Sequence, residues 1–413
     1  MTGSGDSALG IYVSIPFCRS KCTYCNFASG VYPAADHERY VDRLIEDLSQ
    51  ASIWSRSMGS ECPQRVDTVY LGGGTPSLLP PHLLLRLFAS IRSQFDLNAN
   101  AEITMECAPG QIADTTLEAM ATAGVNRVSL GVQSFVDSEA HASGRLHSRA
   151  IVEADLRRLR AAGIANLNVD LIAGLAGQTF VSWEESLDAL AASGVSHASV
   201  YMLEVDEDSR LGREMLKGGV RYRADLVPND DSIARMYERA IERLESVGLR
   251  QYEISNFAQP GFESKHNMRY WRRRPYLGVG LDASSMALPA TASRDGSDGQ
   301  TRHPDVLRFT TTDDLKEYLA GPATPQMTRL SPALQFEEAW FLGLRMNEGV
   351  DLAALKLEFG PEMLEPAMQT VDHLVANGLL FSDGARVWLT SRGRLLSNDV
   401  FQEFLELEGA TIA

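Results

Sequence analysis

The 413-residue sequence is poor in several things, and each shortage narrows what the protein can be. No apolar run approaches the roughly 20 residues that a membrane-spanning helix needs. The N-terminal stretch Met1-Thr-Gly-Ser-Gly-Asp-Ser7 is polar, with no basic segment leading into an apolar one, so no secretory leader is expected. Positive charge is scarce: 38 Lys and Arg stand against 54 Asp and Glu, a net charge of −16. Non-specific binding to nucleic acid or to anionic lipid is therefore not expected. Cysteine is scarce too, and its count of five is odd, which argues against the disulfide framework of a secreted domain. No internal repeat or low-complexity tract stands out. With 44% hydrophobic and 22% charged residues the chain is an ordinary globular one. A cytoplasmic location suits both the missing leader and free thiols.

What is present begins with alternation. Six β-rich apolar runs, Ile11–Ile15, Val66–Leu71, Ala101–Met105, Asn126–Leu130, Ile164–Val169 and His197–Tyr201, are separated by stretches with helical spacing. Tyr40, Val41, Leu44, Ile45 and Leu48 form one such stripe, and Leu83, Leu84, Leu87, Phe88 and Ile91 another. Gly124, Gly163, Gly194 and Gly248 each follow a helical run, where a C-terminal cap falls. This is the pattern of a parallel sheet of βα units, an α/β fold read as an incomplete (β/α)6 TIM-like barrel over residues 1–250. Residues 251–330 read as an extension of that barrel, and 292–303 within it as an exposed Gly/Ser/Asp-rich loop. From Ser331 to residue 413 the texture changes to helices at Phe336–Met346, Leu352–Phe359 and Met363–Asn377, followed by hairpin-like runs. That order predicts a winged-helix-like α+β module. Its 5 basic and 13 acidic residues disfavour a DNA-binding duty, leaving a structural appendix as the plainer reading.

Three of the five cysteines crowd into Cys18-Arg-Ser-Lys-Cys22-Thr-Tyr-Cys25. Zinc ordinarily takes four ligands, with thiolates in C-x2-C pairs. An iron–sulfur cube has four corners, so three cysteines leave one iron open to a ligand that is not protein. A zinc site completed by a distant histidine, or a chance grouping, are the alternatives. Leu71-Gly-Gly-Gly-Thr-Pro-Ser77 follows the second strand run; it lacks the Gly-Lys-[Ser/Thr] of a P-loop, and its glycines let backbone approach a ligand. Glu106, Gln133, Arg145, Asp170 and Met202 all fall at or beyond the C-terminal ends of successive strand runs, the face on which βα barrels build their sites. Cys62 and Cys107 lack the spacing to join the triplet and read as non-ligands.

The segment Tyr12-Val-Ser-Ile-Pro-Phe-Cys18 through Cys25 resembles the signature of the radical S-adenosylmethionine (SAM) superfamily, in its coproporphyrinogen oxidase-like branch. The resemblance implies a [4Fe-4S] cluster on Cys18, Cys22 and Cys25, with SAM chelating the fourth iron and an electron donor serving the cluster. It implies SAM contacts at Tyr12, Gly73, Gly74, Thr75, Glu106, Gln133, Arg145 and Asp170, with Tyr24 near the adenine and Met202 completing the set. Carboxylates would hold the ammonium and ribose hydroxyls, and Arg145 the carboxylate.

Two features differ from the oxidase pattern. That enzyme carries a further cysteine where this chain has Phe27, and a longer arm than the 17 residues that precede Cys18 here. Both features resemble instead a haem-chaperone branch of the family, as does His266-Asn-Met-Arg-Tyr-Trp271. The resemblance implies haem as a cofactor and haem-acceptor proteins as partners, with a place in porphyrin metabolism. Peripheral contact with membrane proteins is compatible with it. His266 is a candidate axial haem ligand, or else a packing residue below the barrel mouth. Lys265, Arg269 and Arg272-Arg-Arg274 are candidates to pair with propionates, or form a solvated basic face. The competing expectation is an oxygen-independent coproporphyrinogen III oxidase acting on propionates through a 5′-deoxyadenosyl radical.

Overall fold

The structure, a computed structural model, describes residues 8–288, 305–321 and 325–405. The polar N-terminus and the expected exposed loop at 292–303 lie outside the described residues.

Six strands run parallel and in chain order: β1 (Leu9–Ile15), β2 (Arg65–Gly73), β3 (Asp96–Cys107), β4 (Arg127–Gln133), β5 (Asn166–Ala173) and β6 (His197–Met202). The helices between them are α1 (Ala35–Ser57), α2 (Pro81–Gln94), α3 (Asp114–Ala123), α4 (Asp137–Ala142), α5 (Arg149–Ala161) and α6 (Phe180–Ser193). Gly124 and Gly194 end α3 and α6 in the left-handed conformation, as the sequence predicts. The six βα units are present, and β2 to β6 run one to four residues past the expected C-terminal ends, where Gly72, Glu106, Gly131 and Asp170 interrupt the apolar runs.

Each strand alternates, with two different consequences. One face carries Ile11, Val13, Val69, Leu71, Met105, Val128, Leu130, Leu167, Val169, Ala198 and Val200, all within the main hydrophobic core beneath the helices. Burying such side chains stabilises by about 1.5–3 kcal/mol each. The opposite face carries Tyr12 and Ser14, Thr68 and Tyr70, Glu102, Thr104 and Glu106, Arg127 and Ser129, Asn168 and Asp170, and His197 and Ser199. These bond to one another across the strands: Tyr70 to Glu106, Asn168 to Ser129, and His197 to Asn168. An ordinary βα barrel fills its interior with branched apolar layers; this lumen is polar from end to end.

Beyond β6 come α7 (Arg210–Leu216), α8 (Asp230–Glu245), β7 (Arg250–Gln251), β8 (Asn256–Ala258), α9 (Lys265–Trp271), β9 (Tyr276–Val279), β10 (Ser284–Ala287), β11 (Val306–Thr310), α10 (Leu315–Ala320) and β12 (Gln326–Leu330). Among the described residues one 12-stranded sheet results, ordered β12-β11-β10-β9-β1-β2-β3-β4-β5-β6-β8-β7. The barrel is thus left incomplete, with β9 parallel to β1 on one side and β8 antiparallel to β6 on the other.

Helix α9 stops the N-terminal end of the lumen. Glu102 accepts the backbone N–H groups of Lys265 and His266 at 3.1 and 3.0 Å. Arg269 donates to the carbonyls of Ala8 and Pro275 and pairs with Asp67.

The C-terminal unit comprises α11 (Pro332–Arg345), β13 (Val350–Asp351), α12 (Leu352–Phe359), α13 (Pro361–Ala376), β14 (Leu380–Ser382), β15 (Arg386–Leu389), α14 (Ser391–Leu395) and α15 (Ser397–Gln402). Its helices-then-hairpin order is the one expected of a winged-helix-like module. A second core holds it together, with Trp340 stacked on Phe404 at 4.6 Å. Ion pairs join it to the turn just after α9 (Arg272–Glu348, Arg273–Glu358), and another joins it to the barrel (Arg345–Glu253).

Candidate functional site

The loop after β1 is held by backbone bonds that owe nothing to its thiols. Cys18 N–H donates to Gly30 at 2.8 Å, Gly30 N–H to Pro16 at 2.9 Å, and Thr23 N–H to Ser143 at 3.1 Å. Leu211 at the start of α7 donates back to Thr23 at 2.9 Å. The end of β2 closes the other side, where Gly74 and Thr75 N–H groups donate to Ile15 and Phe17, both at 2.8 Å. A Cβ on Gly74 would lie 2.8 Å from each of those two carbonyls. The glycine run therefore serves first to bring two backbones together, the Cys loop and the β2 end. Thr75 Oγ1 donates to Cys18 Sγ at 3.8 Å, and Cys25 Sγ lies 3.9 Å from Ser29 Oγ. The three thiols are free, partly exposed, and line one cavity of about 930 Å³.

The same cavity is lined by Tyr24, Gly73, Gly74, Thr75, Glu106, Gln133, Arg145, Asp170 and Met202. Gln133 reaches it from a register shift between Gly131 and Gln133, and takes a positive φ of 71° at the strand end. Arg145 Nη2 donates to Tyr24 Oη at 3.3 Å, while its buried Nε has no partner. Burial pushes Glu106 up to about 7, against the Tyr70 hydroxyl that donates to it at 2.8 Å. Burial also raises Asp170, whose carboxylate accepts from Ser129 at 3.0 Å and Asn168 at 2.7 Å. Asn168 in turn accepts from His197 Nδ1 at 2.6 Å, and His197 Nε2 accepts from Tyr252 at 2.8 Å. Because Asn168 spends its amide hydrogens on Ser129 and Asp170, its oxygen must accept, which fixes the histidine tautomer.

Two expected site residues do not line this cavity. Tyr12 lies inside the lumen beside Tyr70 and His266. His266 is 1% exposed at the plugged end, and both its ring nitrogens are engaged, with Thr68 Oγ1 at 2.9 Å and Tyr270 Oη at 2.8 Å. Burial lowers its pKa to about 3, so it is a neutral, fully bonded ring. The structure thus gives the axial-ligand expectation for His266 no geometric support. The basic run beside it is likewise occupied: Arg269, Arg272 and Arg273 pair with Asp67, Glu348 and Glu358. Of the remaining cysteines, Cys107 lines the cavity wall with its thiol pushed up by burial, and Cys62 packs elsewhere, near Met58 and Ala287.

Sequence reasoning passed over Ser129, Tyr201, Tyr237 and Arg345, which also line the cavity. The first two were signalled by period-2 alternation in β4 and β6; the last two come from helices whose ends carry no motif.

A βα barrel with a three-thiol loop after its first strand and polar groups at the following strand ends defines a class. The chain belongs to the radical SAM superfamily: that family's model matches residues 12–190, and the HemN C-terminal domain matches residues 330–396. Over 397 residues it is 32% identical to a protein named heme chaperone HemW from Lactococcus lactis, covering 95% of this chain and 96% of that one. It is also 32% identical, over 392 residues, to the mouse mitochondrial radical S-adenosyl methionine domain-containing protein 1, with 92% and 83% covered. Among solved structures, coproporphyrinogen III oxidase (HemN) of Escherichia coli shares the fold, with TM-score 0.78 over 97% of this chain and 90% of that one at 21% identity.

The residues present fit the cofactors this family implies. Three free thiols in one pre-shaped loop suit an iron–sulfur cluster with one corner unclaimed by protein. Among the described residues no three His, Cys, Asp or Glu side chains converge on a single-ion site, which is not the closed shell zinc requires. Two buried carboxylates and a guanidinium with an unused donor suit a zwitterionic, cationic ligand such as SAM.

Proposed function

We propose that the protein is a haem chaperone, which binds haem together with a [4Fe-4S] cluster and SAM and passes haem to acceptor proteins. The reading is supported chiefly by the 32% identity to a named heme chaperone over almost the whole of both chains. In it Cys18, Cys22 and Cys25 hold the cluster. Glu106 and Asp170 take the ammonium and ribose of SAM, Arg145 its carboxylate, and Gly73, Gly74, Thr75, Gln133 and Met202 shape the pocket around it. Tyr24 lies by the adenine, held through its bond from Arg145. Tyr12 acts one layer lower, as support rather than contact. A bound [4Fe-4S] cluster supplies single electrons to its SAM ligand, and an external electron donor replenishes them.

The cavity's own residues do the rest. Ile172 adds apolar surface to the cavity, while the polar lumen below fixes the carboxylates through Tyr70, Ser129 and Asn168. Phe27 stands on the rim, 63% exposed, where it adds apolar surface beside the thiols. In this reading the described residues up to 250 supply the barrel, those from 251 to 330 its extension, and those from 331 to 405 a module that contributes Arg345 and Ser397 to the cavity wall. The proposed location is the cytoplasm; among the described residues no helix is long and apolar enough to cross a membrane. Acceptors seated in membranes would be met peripherally.

The test is direct. Reconstituted protein given stoichiometric haem should show a Soret band, and with SAM, reductant and coproporphyrinogen III it should form no protoporphyrinogen. Absence of the Soret band overturns the reading. Accumulation of protoporphyrinogen replaces it with the oxidase.

A further inference from the structure

The cavity does not stop at the cofactor groups. Its lining also includes Tyr237, Ser255, Ser397, Asn398 and Asp399, together with Arg345 of α11. This guanidinium is held on three sides. Nε faces Glu253 Oε2 at 2.7 Å, Nη2 donates to Ser255 Oγ at 3.4 Å, and the plane lies 5.4 Å from the Trp271 ring. Glu253 has no exposed side-chain surface, and its other oxygen accepts from Ser255 N–H at 2.8 Å and the Asn256 amide at 2.5 Å. That carboxylate holds the guanidinium by charge at short range, since neither Glu253 Oε2 nor Arg345 Nε makes a hydrogen bond. The outer Nη edge is the part of the fork that makes no other protein hydrogen bond among the described residues. The side chain keeps 31% exposure, all it needs to meet a ligand.

We propose that Arg345 is a recognition residue for a carboxylate on the large ligand, gripping it through the free Nη edge while Glu253 and Trp271 hold the fork in place. Resting on the haem reading above, the proposal assigns the ligand's propionate end to the part of the cavity lined by the C-terminal unit and leaves the part lined by Arg145 and the thiols to SAM and the cluster. Arg272 and Arg273 are unavailable for this duty, being paired with Glu348 and Glu358. A planar fork matched to a carboxylate is specific to arginine, since lysine offers only a point charge.

The test compares iron protoporphyrin IX, which has two free propionates, with its dimethyl ester, each titrated into the full chain and followed by the Soret band. Wild type should bind the diacid at least about tenfold more tightly, the value of one charge-assisted hydrogen bond. Arg345→Met should erase the preference by weakening the diacid alone, with SAM binding unchanged; Arg345→Lys should keep part of the preference, and the control Arg272→Met should keep all of it. Equal affinity of wild type for the two porphyrins overturns the proposal and leaves haem binding standing, without reliance on any variant folding. A preference that survives in Arg345→Met also overturns it. If neither porphyrin binds wild type, the haem reading falls and takes this assignment with it.

Discussion

The two ends of the barrel lumen use the same kinds of side chain to opposite effect. At the plugged end His266, Glu102 and Arg269 are buried and committed: the histidine to two hydroxyls, the glutamate to two backbone N–H groups, the arginine to carbonyls and Asp67. At the open end the thiols are free of disulfides and partly exposed, Arg145 keeps an unbonded Nε, and Glu106 is buried enough to hold its proton to about pH 7. A buried polar group without a partner costs about 1–3 kcal/mol. The plugged end has removed most of that cost within the fold, Arg269 Nε being left without a partner, while the open end keeps Arg145 Nε unpartnered beside a cavity that a ligand can enter. Residue type therefore says little about function here; spare bonding capacity says more.

The sharpest break in the comparison is expected at the cluster loop. Replacing Cys18, Cys22 and Cys25 together by Ala should abolish iron content and the brown colour, whereas Cys62→Ala and Cys107→Ala should keep both. Retained iron in the triple variant would dissolve the distinction between the two ends. Next in size is His266→Ala. Truncation leaves the Thr68 and Tyr270 hydroxyls unpaired and opens a cavity, a loss of about 3 kcal/mol measurable by denaturant unfolding. Haem affinity of the folded variant should be unchanged; unchanged stability with haem affinity lost would restore the axial-ligand role.

A smaller effect is expected at Glu106. Its pKa rises from 4.5 to about 7 on folding, so between those values the folded chain keeps a proton the unfolded chain has shed. The ligand-free protein should lose stability as pH climbs from about 4.5 to about 7, and Glu106→Gln should flatten that slope. SAM binding should run the other way, strengthening as the carboxylate ionises. A wild-type curve parallel to that of Glu106→Gln would mean the group is not buried as described. Least of all, Arg273→Ala should shift stability by about 1 kcal/mol or less, because its pair with Glu358 is partly solvated. A much larger loss would make the arginines just after α9 structural rather than peripheral.

Much of the open end was legible in the sequence because its chemistry sits at strand ends, and strand ends are marked by where apolar runs stop. Glu106, Gln133 and Asp170 were found that way. The short strands β9 to β12 were not, being five residues or fewer, with no periodicity to detect. His266 shows a different limit. The motif around it was visible, but which end of the barrel it occupies depends on α9 folding back under β2 and β3, a long-range contact no local pattern encodes. Arg345 shows the same limit from the other side: nothing near the end of α11 announces a pocket, and only packing of the C-terminal unit brings it there.

The thiol loop is tied down by carbonyls and amides of Pro16, Gly30, Ser143 and Leu211 rather than by its sulfurs. Small zinc domains, by contrast, fold only when metal arrives. In this loop the backbone carries the shape, and the three sulfurs take no part in holding the chain together, which leaves them to a ligand.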